Sequence, residues 1–142
     1  MKSATKLKLI AIWEFALAAG ILAFWVLFFS TDIISTEDKK LKEIYLAFES
    51  AFPVADMYLF FILLTGGTGL LRKKFYGYLF SLLAGAGLIF LGLLDISFNV
   101  QQGIYRLGAR EAAISVFINL LCLGSGILLV SAFWKEISQR AR

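Results

Sequence analysis

The sequence predicts an all-α integral membrane protein: one domain, 1–142, built as a four-helix bundle, N-in/C-in, with a short amphipathic helix in the outer first loop. Three observations predict it. Hydrophobic residues make up 60% of the 142 residues and charged residues 17%, with one proline, a balance too apolar for a soluble domain of this size. Four runs, 7–29, 53–71, 75–98 and 112–133, come close to the roughly 20 apolar residues needed to cross about 30 Å of hydrocarbon. The basic residues flank those runs unevenly. Lys2, Lys6, Lys8, Arg72, Lys73, Lys74, Lys135, Arg140 and Arg142 fall on one side, and Lys39, Lys40, Lys42, Arg106 and Arg110 on the other. The positive-inside rule then puts both termini in the cytoplasm and the chain in the plasma (inner) membrane.

The first span, 7–29, follows three lysines and could imitate a signal peptide, with Ala16 to Gly20 as a cleavage site. Its apolar run continues past Gly20, and Glu14 stands where a signal peptide is most hydrophobic, so an uncleaved helix is expected. Glu14 shares a face with Ala11, Ala18, Ile21 and Trp25.

The outer segment 30–52 holds Asp32, Glu37, Asp38, Glu43 and Glu49, half of the ten acidic residues. Ser35 and Asp38 have capping-box spacing, and Leu41, Ile44, Tyr45, Phe48 and Phe52 recur at helical intervals. This helix is expected to lie on the membrane surface or over the bundle mouth.

The second span, 53–71, opens with Pro53 at a helix start and aligns Asp56, Leu63 and Gly67, with Gly66 and Gly69 close by. Three residues, Arg72 to Lys74, separate it from the third span, so the two helices are antiparallel neighbours. On the third span, 75–98, Gly77, Ser81, Ala84, Gly85, Gly92, Asp95 and Asn99 share an arc. Small and polar residues on one face mark an interior seam, because lipid-embedded helices approach through small side chains. The segment 99–110 is read as a polar outer loop bringing Tyr105 and Arg106 to the mouth. The fourth span, 112–133, aligns Ala112, Ser115, Asn119, Cys122 and Gly126.

Three of the four spans therefore carry a carboxylate: Glu14, Asp56 and Asp95. Each costs at least ~2.5–3.5 kcal/mol on insertion scales, so it should face the interior, find a partner or do chemistry. Asp56 and Asp95 fall at one level about 5 Å below the outer edge, on adjacent helices. Glu14 enters from the opposite side, and Asn119 should lie between the two levels and link them through water. The pair has three physical resolutions: sharing a proton, binding a cation with Asn99 as a further oxygen, or pairing with Arg106 or Arg110. Asp56 has a structural explanation as well, since a helix N-terminus favours an acid. Asp95, near a C-terminus, has none. Glu14 could instead snorkel or satisfy a core hydrogen bond.

The expected ligand-binding set is thus Asp56, Asp95, Asn99, Asn119, Glu14, Tyr105 and Arg106. The ligand would be a small cation, an amine or an amphiphile, bound or transported, with a homodimer or a partner membrane protein completing a carrier of this size. A non-catalytic assembly or regulatory subunit is the alternative function, and a lipid-modifying or isomerase-like enzyme the third, since no nucleophile and base pair is visible. The chain has no histidine and one cysteine, which excludes an intrachain disulfide relay and histidine-ligated haem or zinc. No cofactor is expected. The charge of +4 is scattered over helix flanks rather than gathered into a patch, so no nucleic-acid partner is expected either.

Two families share parts of this pattern. The chain resembles the small multidrug resistance transporters in having four helices and a membrane glutamate, Glu14, in the first; it departs from them in its long first loop and in Asp56 and Asp95. That resemblance implies an essential role for Glu14. In helix order and long first loop the chain is also similar to four-helix sterol-isomerase and sigma-2-like proteins, whose acidic positions correspond to Asp32 and Asp56. It lacks their histidines.

Overall fold

The computed structural model of the chain describes residues 3–31 and 36–140. Lys2, Asp32, Ser35 and Arg142 lie outside the described residues, and with them the Ser35 half of the expected capping box. The elements are α1 (Ser3–Ser30), α2 (Lys39–Glu49), α3 (Pro53–Leu71), α4 (Phe75–Gln102), a 3-10 turn (Ile104–Arg106) and α5 (Ala109–Arg140). Four of these helices are long and apolar enough to cross a membrane: Ala4–Ser30, Pro53–Leu71, Phe75–Gln102 and Ala109–Ser138.

Packing is serial. α1 lies against α3, α3 against α4, and α4 against α5. Glycine sets the two closest approaches. A Cβ on Gly77 would come within 2.4 Å of the Gly69 carbonyl carbon, and one on Gly126 within 2.7 Å of the Gly85 carbonyl oxygen, so α3–α4 and α4–α5 meet backbone to backbone. The core between them holds Leu59, Leu63, Leu70, Tyr78, Ala84, Leu88, Leu129 and Phe133 with Leu7, Ala11 and Ala18 of α1. Outward, Val26, Phe29, Phe61, Phe90, Phe117, Leu120 and Trp134 are exposed, while Glu14, Ser81, Asn99, Asn119 and Ser125 are buried. Apolar outside and polar inside is the distribution a lipid solvent selects.

The third and fourth spans are longer than the sequence reading gave. α4 continues through Asn99 to Gln102 and stops at Gly103, whose φ of +69° is the left-handed conformation that ends helices. The segment read as an open polar loop, 99–110, is therefore mostly helical, and Asn99 is a buried helix residue. Asp95 lies almost two turns before the helix end, not at its last turn.

α2 is capped by Asp38, whose Oδ1 accepts from the amides of Lys40 at 3.0 Å and Leu41 at 3.1 Å. The ring of Phe48 stacks on Phe98 of α4, 3.8 Å between centroids and 3° from parallel. Tyr45 joins Ile104, Phe98, Phe28, Leu41 and Leu107 in a second apolar cluster, which pins α2 across one end of the bundle. Pro53 then starts α3, with Asp56 in its first turn.

Candidate functional site at the α2 end

All five helices bring a side chain to the end that α2 covers. From α1, the Trp25 indole N–H donates to Asp56 Oδ2 of α3 at 3.0 Å, a buried bond. From α4, Asn99 Nδ2 donates to Asp95 Oδ2 at 2.9 Å, an i, i+4 pair along one face. Asn119 of α5 donates from Nδ2 to the Tyr105 hydroxyl at 2.7 Å and is the second hydrogen-bonding neighbour of Asp95. Tyr45 and Glu49 of α2 are buried, and the Tyr45 hydroxyl bonds to the Glu49 carboxylate.

Glu49 is thus a third carboxylate beside the two aspartates. Burial pushes its carboxyl up to about 7, the Asp95 charge adds to this, the Tyr45 hydrogen bond opposes it, and the Asp56 charge raises it further. Tyr45 is pushed up as well, by burial first and then by the Glu49 and Asp95 charges. Four neutral groups, Trp25, Asn99, Asn119 and Tyr45, neighbour the acids as hydrogen-bond partners. Arg106, one of the two arginines offered as a partner for the aspartates, is exposed: the 3-10 turn directs Ile104 into the core and leaves Arg106 in solvent. One buried acceptor is left over, since Asn119 Oδ1 has no hydrogen-bond partner. Among the described residues, no three carboxylate or thiol side chains are grouped to hold a metal ion.

The structure places Asp56, Asp95, Asn99, Asn119 and Tyr105 at this one end of the bundle. Asn119 is tied to the turn after α4 by its bond to the Tyr105 hydroxyl. Sequence reasoning missed Trp25 as a donor and Glu49 as a member. A signal for Glu49 was present, because it follows Tyr45 by four residues on the face that packs against the bundle.

Glu14 stands apart, about 16 Å from Trp25 along α1. It is 0% exposed, and neither carboxylate oxygen has a hydrogen-bond partner. It does not snorkel, and its polar neighbour is the Ser81 side chain. Gly66 makes the space: a Cβ there would lie 2.9 Å from Glu14 Oε1 and 3.0 Å from Ser81 Oγ. The Ser81 hydroxyl donates to the Gly77 carbonyl at 2.7 Å, and Trp13 beside Glu14 donates to Ser125 Oγ at 3.1 Å, tying α1 to α5.

Four spanning-length apolar helices with a buried polar interior define a multi-pass helical membrane protein. The chain belongs to a family described as a domain of unknown function (DUF8058), whose model matches residues 4–142. No curated protein and no solved structure matches it.

Proposed function

We propose that this chain binds a protonated, amphiphilic amine at the α2 end and carries it through the plasma membrane, working as a dimer. The observation that carries the reading is the imbalance of the cluster. Three carboxylates gather there with an orphaned amide oxygen, Asn119 Oδ1, beside the neutral donors Trp25, Asn99, Asn119 and Tyr45, and a group bringing positive charge and N–H donors would complete the set. The aromatic side chains of Trp25, Tyr45, Phe48 and Phe98 offer an apolar and cation-compatible wall. An ammonium, with its several donors, suits acceptors spread over four helices better than a compact metal ion does. In this reading both termini are cytoplasmic, α2 is the amphipathic outer helix that covers the mouth, and Glu14 is the proton-carrying group of the opposite half.

Dodecylamine and dodecanol, titrated against protein in nanodiscs and read by tryptophan fluorescence and native mass spectrometry, test it. The amine should bind saturably and the alcohol should not. Asp95→Asn should weaken the amine by about tenfold or more, the scale of one charge-assisted bond, while Arg106→Gln leaves it unchanged. Equal uptake of amine and alcohol would refute the reading. If Asp95→Asn instead unfolds the protein unless another membrane protein is present, the carboxylates grip a partner and the chain is an assembly subunit.

A further inference from the structure

The turn between α3 and α4 carries a cation where backbone geometry asks for glycine. The Lys74 amide donates to the Gly69 carbonyl at 2.9 Å and the Lys73 amide to the Leu70 carbonyl at 3.0 Å, the paired bonds of a Schellman end. Lys73 consequently sits at φ +53°, in the left-handed region where a Cβ is crowded. Lysine is unfavourable there for the backbone; what it adds is its ammonium. Arg72 and Lys74 flank it, and all three are exposed. The exposed lysines 6 and 8 of α1 and 135 of α5 belong to the same end of the bundle.

Beside this turn, α3 and α4 leave a recess of about 380 Å3 lined by Leu64, Thr65, Thr68 and Tyr76. Its character changes along its length. Thr68 is one turn from Arg72 on α3, so a hydroxyl-bearing side chain shares a face with that cation, and Tyr76 brings a second hydroxyl to the recess from the first turn of α4. Leu64 and Thr65 lie a turn deeper, and the Thr65 hydroxyl is already spent on the Phe61 carbonyl at 2.8 Å. A cationic rim, a hydroxyl-bearing neck and an apolar floor on the surface of a membrane helix pair match a lipid with an anionic headgroup.

We propose that this recess binds one anionic phospholipid, its phosphate held by Arg72, Lys73 and Lys74 and one acyl chain lying along Leu64 and Thr65. Arginine supplies a planar fork for phosphate and the lysines point charges. The site is separate from the acidic cluster, at the opposite end of the bundle, and does not depend on the amine reading.

The test is native mass spectrometry of full-length protein extracted from vesicles of equimolar phosphatidylglycerol and phosphatidylcholine. Wild type should retain one phosphatidylglycerol in preference to phosphatidylcholine. Lys73→Gly should weaken that preference about fivefold, the worth of one cation near a lipid headgroup, while its melting temperature stays level or rises, because glycine relieves the turn. Thr68→Phe, which fills the recess and leaves every charge in place, should also lose the bound lipid. No preference in wild type, or full retention in Lys73→Gly, overturns the proposal. So does retention in Thr68→Phe, which would leave only diffuse attraction of anionic lipid to a basic end.

Discussion

Raising the pH should lift α2 off the bundle through a single side chain, Glu49. The carboxyl is 8% exposed, and burial, followed by the neighbouring Asp95 charge, moves it from 4.5 to about 7. Tyr45 works against that shift from α2 itself, and Asp56 adds to it from α3. With α2 undocked, Glu49 reaches water and returns to the lower value. The docked state therefore holds the proton more tightly. Its contribution to docking is fully present below about pH 4.5 and is lost as the pH rises through about 7. A difference of about 2.5 units at ~1.4 kcal/mol each is on the order of 3 kcal/mol. That exceeds the roughly 0.5–1.5 kcal/mol which an aromatic stack such as Phe48 on Phe98 adds beyond its buried area. Hydrogen–deuterium exchange of the α2 amides, corrected for the intrinsic pH dependence of exchange, reads this directly. Protection should fall roughly a hundredfold between pH 5 and 8.5, and Glu49→Gln should hold it nearly constant. Unchanged protection in wild type across that range, or an equal fall in Glu49→Gln, would refute the argument.

Gly77→Ala places a Cβ 2.4 Å from the α3 backbone and should cost about 3 kcal/mol in detergent unfolding, whereas Gly20→Ala, with nothing within 4 Å, should be neutral or gain up to ~1 kcal/mol. Trp25→Phe removes the donor to Asp56 and should cost about 1–3 kcal/mol by thermal melting. Adding Asp56→Leu should recover much of that loss, since no buried acceptor then remains unpaired. Glu14→Leu should stabilise the fold by about 1–3 kcal/mol, because it removes two buried oxygens without partners. Measured uptake should fall in the same variant while amine binding at the α2 end persists.

How much of this was legible in the chain differed by element. The inward face of α4 could be read because glycine, serine, aspartate and asparagine at Gly77, Ser81, Gly85, Gly92, Asp95 and Asn99 break an otherwise uniform apolar field at a helical interval. The end of α4 could not be read as easily. Polar residues from Asn99 to Gln102 look like loop, yet an α-helix continues wherever a neighbour satisfies its side chains, as Asp95 does for Asn99, and only Gly103 stops it. Glu49 was assigned to an exterior acidic segment because charge was weighed above its position opposite the bundle. The Trp25–Asp56 bond joins residues 31 apart, and no local pattern encodes which tryptophan reaches which acid. Arg106 was one of several partners open to the aspartates, and only the short 3-10 turn, which no charge pattern encodes, sets its side chain in solvent.

The glycine contact between α3 and α4 has a mechanical consequence. With Gly69 and Gly77 touching and only three residues in the turn, those helices are riveted at one end. Gly85 of α4 is held against Gly126 of α5 by a second such contact, and Asp95 stands about 15 Å beyond it along α4, so the outlying part of α4 is a lever pivoted at Gly85. A tilt of about 5° there sweeps Asp95 through about 1 Å, enough to lengthen a hydrogen bond to α5 without disturbing the pivot. Asp95 sits toward the far end of that lever, beneath α2, where a small rearrangement of the fold yields its largest displacement.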